Sequence, residues 1–590
     1  MYSRLLPMKY INIIFLTIVL IILFNLFGCS ESKKHNNLSD SKRINTEEYK
    51  SKVPYYGPYP ENIEDQEKVL ENDLLLERFN KSRKKQLQDP HHPIYHFTSP
   101  ENKLNDPNGL SFWKGNWHLF YQAYPPEDPR QHWGHAISKD LIHWKDLPIA
   151  IYPNPEYQVF SGSALVEEER VIAIYHGTRL GNMVATSSDP LLLNWEKVTE
   201  GATIPIHKTE GDRWQHAKDL PYTIFDPAIW KKEGVYYALS GSVEYDKKLG
   251  QLLPQTYLFR SNNLESWEFM HPFIEGDRFT EIGDDNACPY FWPIGDKYIL
   301  SFYSHTRGGQ YYLGEYDKKE DKFFATSHGK FNFGASGPSG MHAPSVTPSP
   351  DVDGGLISIW NMNPGKINGW NQTKGGNVQI MSLPRLLTLS KNNSVLNYNN
   401  LNQEPAGNIE SLRYNKKTID RMIIPANKEI ILNEVNGNAI EIVAEINPLN
   451  SQMFEINVLR SENKEEFTKV AFFKNRGTRL TTSRFYDGPY RGLKRVYNSV
   501  LTIDTSYSSI LPNVKSRPPE SAPMVLEEGE NLKLRIFIDK SVVEVFANGK
   551  QVVATRVFPG KDDSLGVSIR SQGDQSELIS LESYQMKSIY

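Results

Sequence analysis

The sequence predicts an all-β protein in two parts, and three observations carry that reading. From Pro93 to about Leu389, short runs of β-branched and aromatic residues recur, as at Trp117 to Tyr121, Val171 to Tyr175, Val235 to Ser240 and Tyr298 to Tyr303. Gly, Pro, Asn and Asp separate them, which leaves little room for βαβ units and argues for a propeller, barrel or sandwich. After Glu404-Pro405-Ala406-Gly407 a second strand-rich stretch runs to Tyr590. There Leu534 to Ile538 and Val542 to Phe546 precede an Asn548-Gly549 pair, whose tolerance of positive φ suits a tight hairpin, so this part is assigned a β-sandwich. A chain of 590 residues exceeds one ordinary domain.

From the N-terminus, Arg4 and Lys9 precede an apolar run from Ile11 to Phe27, followed by Leu26-Phe27-Gly28-Cys29 and a polar stretch. This pattern is an export signal ending in a lipobox, so residues 1–29 are expected to be a lipoprotein signal peptide with Cys29 as the lipid anchor. The run also approaches the length of a spanning helix, and an uncleaved membrane anchor is the competing reading. Either one exports the rest of the chain to a bacterial membrane, on the periplasmic side or the cell surface. Residues 30–90 form a polar tether and then one amphipathic helix, with Val69, Leu70, Leu74, Leu75, Leu76 and Phe79 at helical spacing from Ile63 to Lys84 and Asn62 as N-cap. The two β parts are placed at 91–400 and 408–590. Cys288 is the only other cysteine, so the mature fold is expected to hold by packing.

A net charge of −4 supplies no basic field, which argues against nucleic acid as a partner. The 31 Tyr, 27 Phe and 11 Trp offer many rings able to stack on sugars. Cleaving a glycosidic bond usually takes two carboxyl groups, one beside the cationic centre and one that protonates the leaving oxygen. Asp106 in Leu104-Asn105-Asp106-Pro107-Asn108-Gly109 and Asp226 in Ile224-Phe225-Asp226-Pro227-Ala228 are candidates, although each context also describes a simple turn.

Longer order resolves that ambiguity. His96-Phe97-Thr98, Leu104 to Gly109, Phe120-Tyr121-Gln122, His132-Trp133-Gly134-His135-Ala136, Ser138 to Leu141, His143-Trp144, Phe160-Ser161-Gly162-Ser163, Leu383-Pro384-Arg385 and Leu534 to Ser541 through Glu544-Val545-Phe546 follow one another. This set resembles glycoside hydrolase family 32, the invertases, levanases and inulinases. The resemblance implies a five-bladed β-propeller followed by a C-terminal β-sandwich, and a retaining hydrolysis of β-fructosides without metal or organic cofactor. It further implies Asp106 as nucleophile, Asp226 as transition-state stabiliser, and Asn105, Gln122, Trp133, Phe160 and Ser161 as the lining of the fructose subsite. His132 and His135 are expected to be structural, since no third ligand at metal spacing accompanies them. His342 and Trp360 fall on late propeller strands.

Two positions depart from the family pattern. Phe225 stands where an Arg precedes the stabilising Asp, and Ala287, directly before Cys288-Pro289, stands where the acid/base Glu belongs. Three explanations compete: a displaced acid, a substrate that needs no proton, or a surface glycan-binding protein that has lost catalysis. The nearest carboxyl groups are Asp285, Asp284 and Glu281. Asp285 is preferred, because two residues apart on a strand means the same face as Ala287. Cys288 is read as a small buried hydrophobe.

Overall fold

The computed structural model describes residues 49–206, 220–276, 279–281, 283–334, 340–364, 379–390, 401–482, 493–514 and 517–590. Cys29, the signal sequence and nearly all of the tether lie outside these residues. The single amphipathic helix expected over Ile63 to Lys84 is instead two, α1 (Ile63–Leu70) and α2 (Leu74–Gln86). Asn62 caps α1 as expected, accepting the Asp65 N–H at 2.9 Å. The break arises at Asp73, whose carboxylate accepts the Leu75 and Leu76 N–H groups and so starts a new helix where a continuous one would pass. Helix α2 packs on the main domain through Leu75 and Phe79 and through Arg83, which forks onto Asp146 at 2.5 and 2.7 Å.

Five antiparallel sheets follow in chain order, each beginning at its innermost strand. Those strands are Leu104–Trp113, Val159–Val166, Pro227–Lys232, Ala287–Ile294 and Gly340–Pro348. Each packs against the next, and the fifth returns to the first, so the sheets are the blades of a closed five-bladed propeller. Closure is completed by an antiparallel bridge between Leu104 and Gln379 and by the Met381 N–H donating to the Phe97 carbonyl at 2.9 Å. The last strand of the fifth blade, Leu401–Pro405, lies just past the expected boundary at 400. Outer strands carry the runs that signalled them, as Trp117 to Tyr121 lies within Asn116–Ala123 and Tyr298 to Tyr303 within Lys297–Ser304.

The C-terminal part is a sandwich of a seven-stranded and a six-stranded antiparallel sheet. Ile442, Ile456, Phe472, Leu501, Ile536, Val545 and Ile569 fill the space between them, the inward half of an alternating pattern. Asn548 and Gly549 turn the hairpin with φ of 53° and 63°, as the sequence implied. Two acids of this sandwich reach into the propeller. Asp539 accepts the backbone N–H groups of Ile94, Tyr95 and His96 at 2.7 to 2.9 Å. Glu544 accepts the Leu383 N–H and the Arg385 guanidinium, both at 2.8 Å, and His96 lies between the two acids.

Candidate active site

The first residues of the innermost strands meet at one end of the propeller axis. In the first blade the ladder slips between Leu104 and Pro107, so Asn105 and Asp106 leave the regular pairing. Pro107 brings no N–H, and Gly109 takes a φ of +50° that a side chain would strain against. The Asn108 amide donates to the Asp106 carbonyl, and its oxygen accepts the Gly162 N–H of the second blade. The turn-like composition of this motif therefore fixes a carboxylate between two blades.

Asp106 receives hydrogen bonds from the Ser161 hydroxyl at 2.6 Å and the Asn361 amide at 3.3 Å. Asp226, just ahead of Pro227–Lys232, accepts the Cys288 N–H at 3.3 Å. The Cys288 sulfur lies 3.4 Å from Oδ2 of Asp226 and 3.8 Å from Oδ2 of Asp106, so one thiol borders both carboxylates. Burial, and then the two negative charges, push that thiol well above its usual range, so it stays protonated. Cys288 is thus a donor held against the carboxylates, not only the apolar filler the sequence suggested.

Burial raises Asp106 above the ordinary carboxylate range, against the pull of Ser161, the His305 charge, Asn361 and Cys288. Asp226 is pushed up to about 6, by burial first and then by the charge of Asp106. The two titrate as a pair. Two buried carboxyl groups held this close favour any cationic character that develops beside them.

The lining expected from the resemblance divides. Gln122 donates to Ser161 Oγ at 2.7 Å, and Asn105 accepts from Asn361 at 3.0 Å, so both belong to the polar network around Asp106. Phe160 is half-buried with its ring 6.2 Å from that of His176. Trp133 is a correction. It is 0% exposed, stacked on Phe120 and packed on Tyr175 in the core between the first two blades, and it has no face left for a sugar. Its indole N–H donates to the Phe160 carbonyl at 2.8 Å, so it positions the lining without forming it. His132 bonds Ser51 and the Arg130 carbonyl, and His135 pairs with His118 at 2.9 Å, both structural uses. Among the described residues no cluster of three metal-ligating side chains occurs.

Of the residues around the missing glutamate, Asp284 and Glu281 are both held by Arg307 at 2.7 Å. Asp285 bonds the His305 ring at 2.5 Å. Ala287 is 5% exposed and packs with Tyr303 and Ala343. Sequence reasoning missed Asn361 and His305. Asn361 comes from the fifth blade, more than 250 residues from Asp106, with no motif around it. The signal for His305 was its spacing from Asp285 across a hairpin, legible only once the register was known.

Comparison with known proteins agrees with this architecture. The model of the Glycosyl hydrolases family 32 N-terminal domain matches residues 96–405, and that of the Glycosyl hydrolases family 32 C terminal matches residues 408–587. The levanase of Bacillus subtilis (strain 168) is 28% identical over 543 residues, covering 85% of this chain and 71% of that protein. A sucrose-6-phosphate hydrolase of Zymomonas mobilis is 26% identical, covering 82% of this chain and 90% of its own. The crystal structure of fructan 1-exohydrolase IIa from Cichorium intybus aligns with a TM-score of 0.69 at 20% identity, over 85% of this chain and 98% of that one, a likeness of fold.

Proposed function

From the premise that the chain belongs to glycoside hydrolase family 32 and is a glycosidase, we propose that it hydrolyses β-fructosides such as levan, inulin, sucrose or related oligosaccharides, with retention and with Asp106 as nucleophile. The observation that carries this reading is the pairing of Asp106 and Asp226 around one site, with Ser161 and Asn361 aimed at the attacking carboxylate. Asp106 adds to the anomeric carbon as the leaving oxygen departs, and water then releases the sugar from the resulting ester. Asp226 stabilises the positive character between these states and accepts sugar hydroxyls. Asn105, Gln122, Phe160 and Ser161 read the remainder of the ring. The proton that the leaving oxygen requires comes from the side of Asp285 and His305, the groups that replace the absent glutamate.

The chain is further proposed to be exported and held at a bacterial membrane through lipidated Cys29. Labelling with a radioactive fatty acid should mark the intact chain and not Cys29→Ala.

Release of reducing sugar from sucrose, levan and inulin by the full chain, beside Asp106→Asn, tests the hydrolase. Turnover of at least one substrate is expected, with a loss on the order of ten-thousand-fold or more in the variant. The alternative, a glycan-binding protein that has given up catalysis, is favoured by Ala287. It requires no turnover of any of the three together with fructan binding that survives Asp106→Asn.

A further inference from the structure

A retaining hydrolase without its glutamate still needs a group that gives up a proton and takes one back. The hairpin of the fourth blade shows where such a group stands. Ala287 pairs with Tyr303 across the strands Ala287–Ile294 and Lys297–Ser304. Two residues outward on each side, Asp285 comes opposite His305. Both the His305 N–H, at 3.3 Å, and its ring Nδ1, at 2.5 Å, bond the Asp285 carboxylate, which leaves Nε2 as the exchanging nitrogen. The ring packs on Tyr303 at 4.7 Å between centroids, and Tyr303 on His342 at 4.8 Å. The His305 side chain is 68% exposed, so its ring can be reached from solvent.

The groups around it are Asp285, Asp106, Asp226, Tyr303 and His342, with Cys288 packed beside Tyr303. Burial holds the Tyr303 hydroxyl far above its usual range, and the Cys288 thiol likewise, so neither exchanges a proton readily near neutrality. His342 is pushed down to about 3, by burial and then by the His305 charge, and carries no proton to give. Asp106 and Asp226 are committed to the sugar. Partial burial pulls His305 down, but the Asp285 hydrogen bond and the charges of Asp285, Asp106 and Asp226 outweigh it and bring it to about 9. It is thus an imidazolium at neutral pH within the field of both catalytic carboxylates.

Resting on the hydrolase reading above, we propose that His305 is the general acid and base of this enzyme, with Asp285 as its positioning residue. In the first step an Asp106 oxygen bonds the anomeric carbon, and the bond from that carbon to the leaving oxygen breaks. Its electron pair stays on that oxygen, which takes the proton from Nε2 and leaves His305 neutral. In the second step Nε2 takes a proton from water as the water oxygen bonds the same carbon. The ester bond breaks with its electron pair returning to Asp106, and His305 is again charged. Asp285, which the sequence favoured as the displaced acid, acts here through the imidazole.

The test compares the full chain with His305→Gln, Asp285→Asn and Asp106→Asn on its best natural fructoside and on 4-nitrophenyl β-fructofuranoside, whose leaving group departs without a proton. For His305→Gln, kcat/KM on the natural substrate should fall by about a hundred-fold to ten-thousand-fold. On the nitrophenyl substrate it should fall by less than about ten-fold, because that step needs no acid. Asp285→Asn should move the basic limb of the kcat/KM profile from about 9 toward the ordinary imidazole value of 6.5, a shift that a merely structural role would not produce. An equal loss on both substrates for His305→Gln, no loss on either, or an unmoved basic limb in Asp285→Asn would overturn the inference while Asp106→Asn still abolishes both activities. Absence of turnover of either substrate by the intact chain would overturn the hydrolase reading and the inference with it.

Discussion

At the scale of single residues, the site is defined by carboxyl groups kept where their ionised form is costly. Asp226 sits at about 6 against an ordinary 3.8. Between those values the folded protein binds more protons than the unfolded chain, so this group's contribution to stability falls as pH rises through the window and its full cost is felt above it. Asp226→Asn should therefore stabilise the fold at pH 7.5, by on the order of 2 kcal/mol, while turnover collapses. Thermal midpoints of parent and variant should converge near pH 4 and separate by pH 7.5, and coincident midpoints at pH 7.5 would refute the cost. The same titration sets the acidic limb of activity: with Asp106 also raised, kcat/KM should decline as pH falls below about 6, because the pair must carry negative charge to oppose an oxocarbenium-like centre.

At the scale of elements, the start of the fourth blade is the strand distorted beside the two carboxylates. Asn286 and Cys288 adopt φ of 47° and 48°, and the ladder slips between Ala287 and Tyr290, so this strand opens out of register beside Asp226. Gly241 allows the approach. It exchanges backbone bonds with Phe225 and Asp226, and a β-carbon there would come 2.1 Å from the Asn286 carbonyl oxygen, which only backbone movement could relieve. Gly241→Ala should push residues 286–288 away from Asp226 and lower kcat by about ten-fold to a hundred-fold, since misplacement near 1 Å is costly to a positioned site. Retention of full kcat would show that the close approach is not required. How much the sequence disclosed varies with the same logic. Asp106 and Asp226 stood in contexts that a simple turn would also explain, and they were singled out, with Gln122 and Ser161, only by the ordered run of motifs along the chain; the strands were legible because alternation and turn residues are local signals. Hidden from it were His305, which meets Asp285 only through register, Asn361, which arrives from another blade, and the burial of Trp133, which depends on how two blades face each other. The split of one helix into α1 and α2 was missed because apolar spacing continues across Asp73 while that residue's side chain caps a new start.

For the whole molecule, the question is what holds a ring of five blades closed when the first and fifth share no long ladder. Besides the Leu104–Gln379 bridge and the Met381–Phe97 bond, the sandwich contributes two buried acids that tie both parts of the ring to it. Asp539 grips the entry segment Ile94 to His96, Glu544 grips the fifth blade at Leu383 and Arg385, and the His96 ring joins the acids at 2.9 and 3.2 Å. This gives a physical reason for the Leu534 to Phe546 pattern that the sequence displayed far from any catalytic motif. Breaking one partner of a buried ionic cluster strands the others, so Glu544→Gln, which leaves the Arg385 guanidinium buried beside a neutral amide, should cost about 3–5 kcal/mol. Burial alone would lower His96, but its bonds to Asp539 and Glu544, and then their charges, raise it to about 9 from an ordinary 6.5. A raised folded-state value for a base means that its stabilisation is complete below about 6.5 and is lost as pH rises through about 9. The parent should accordingly lose thermal stability between pH 7 and 9.5, and His96→Gln should start lower and lose less over the same interval. Parallel pH dependence in parent and variant would show that the clasp between propeller and sandwich does not rest on a charged His96.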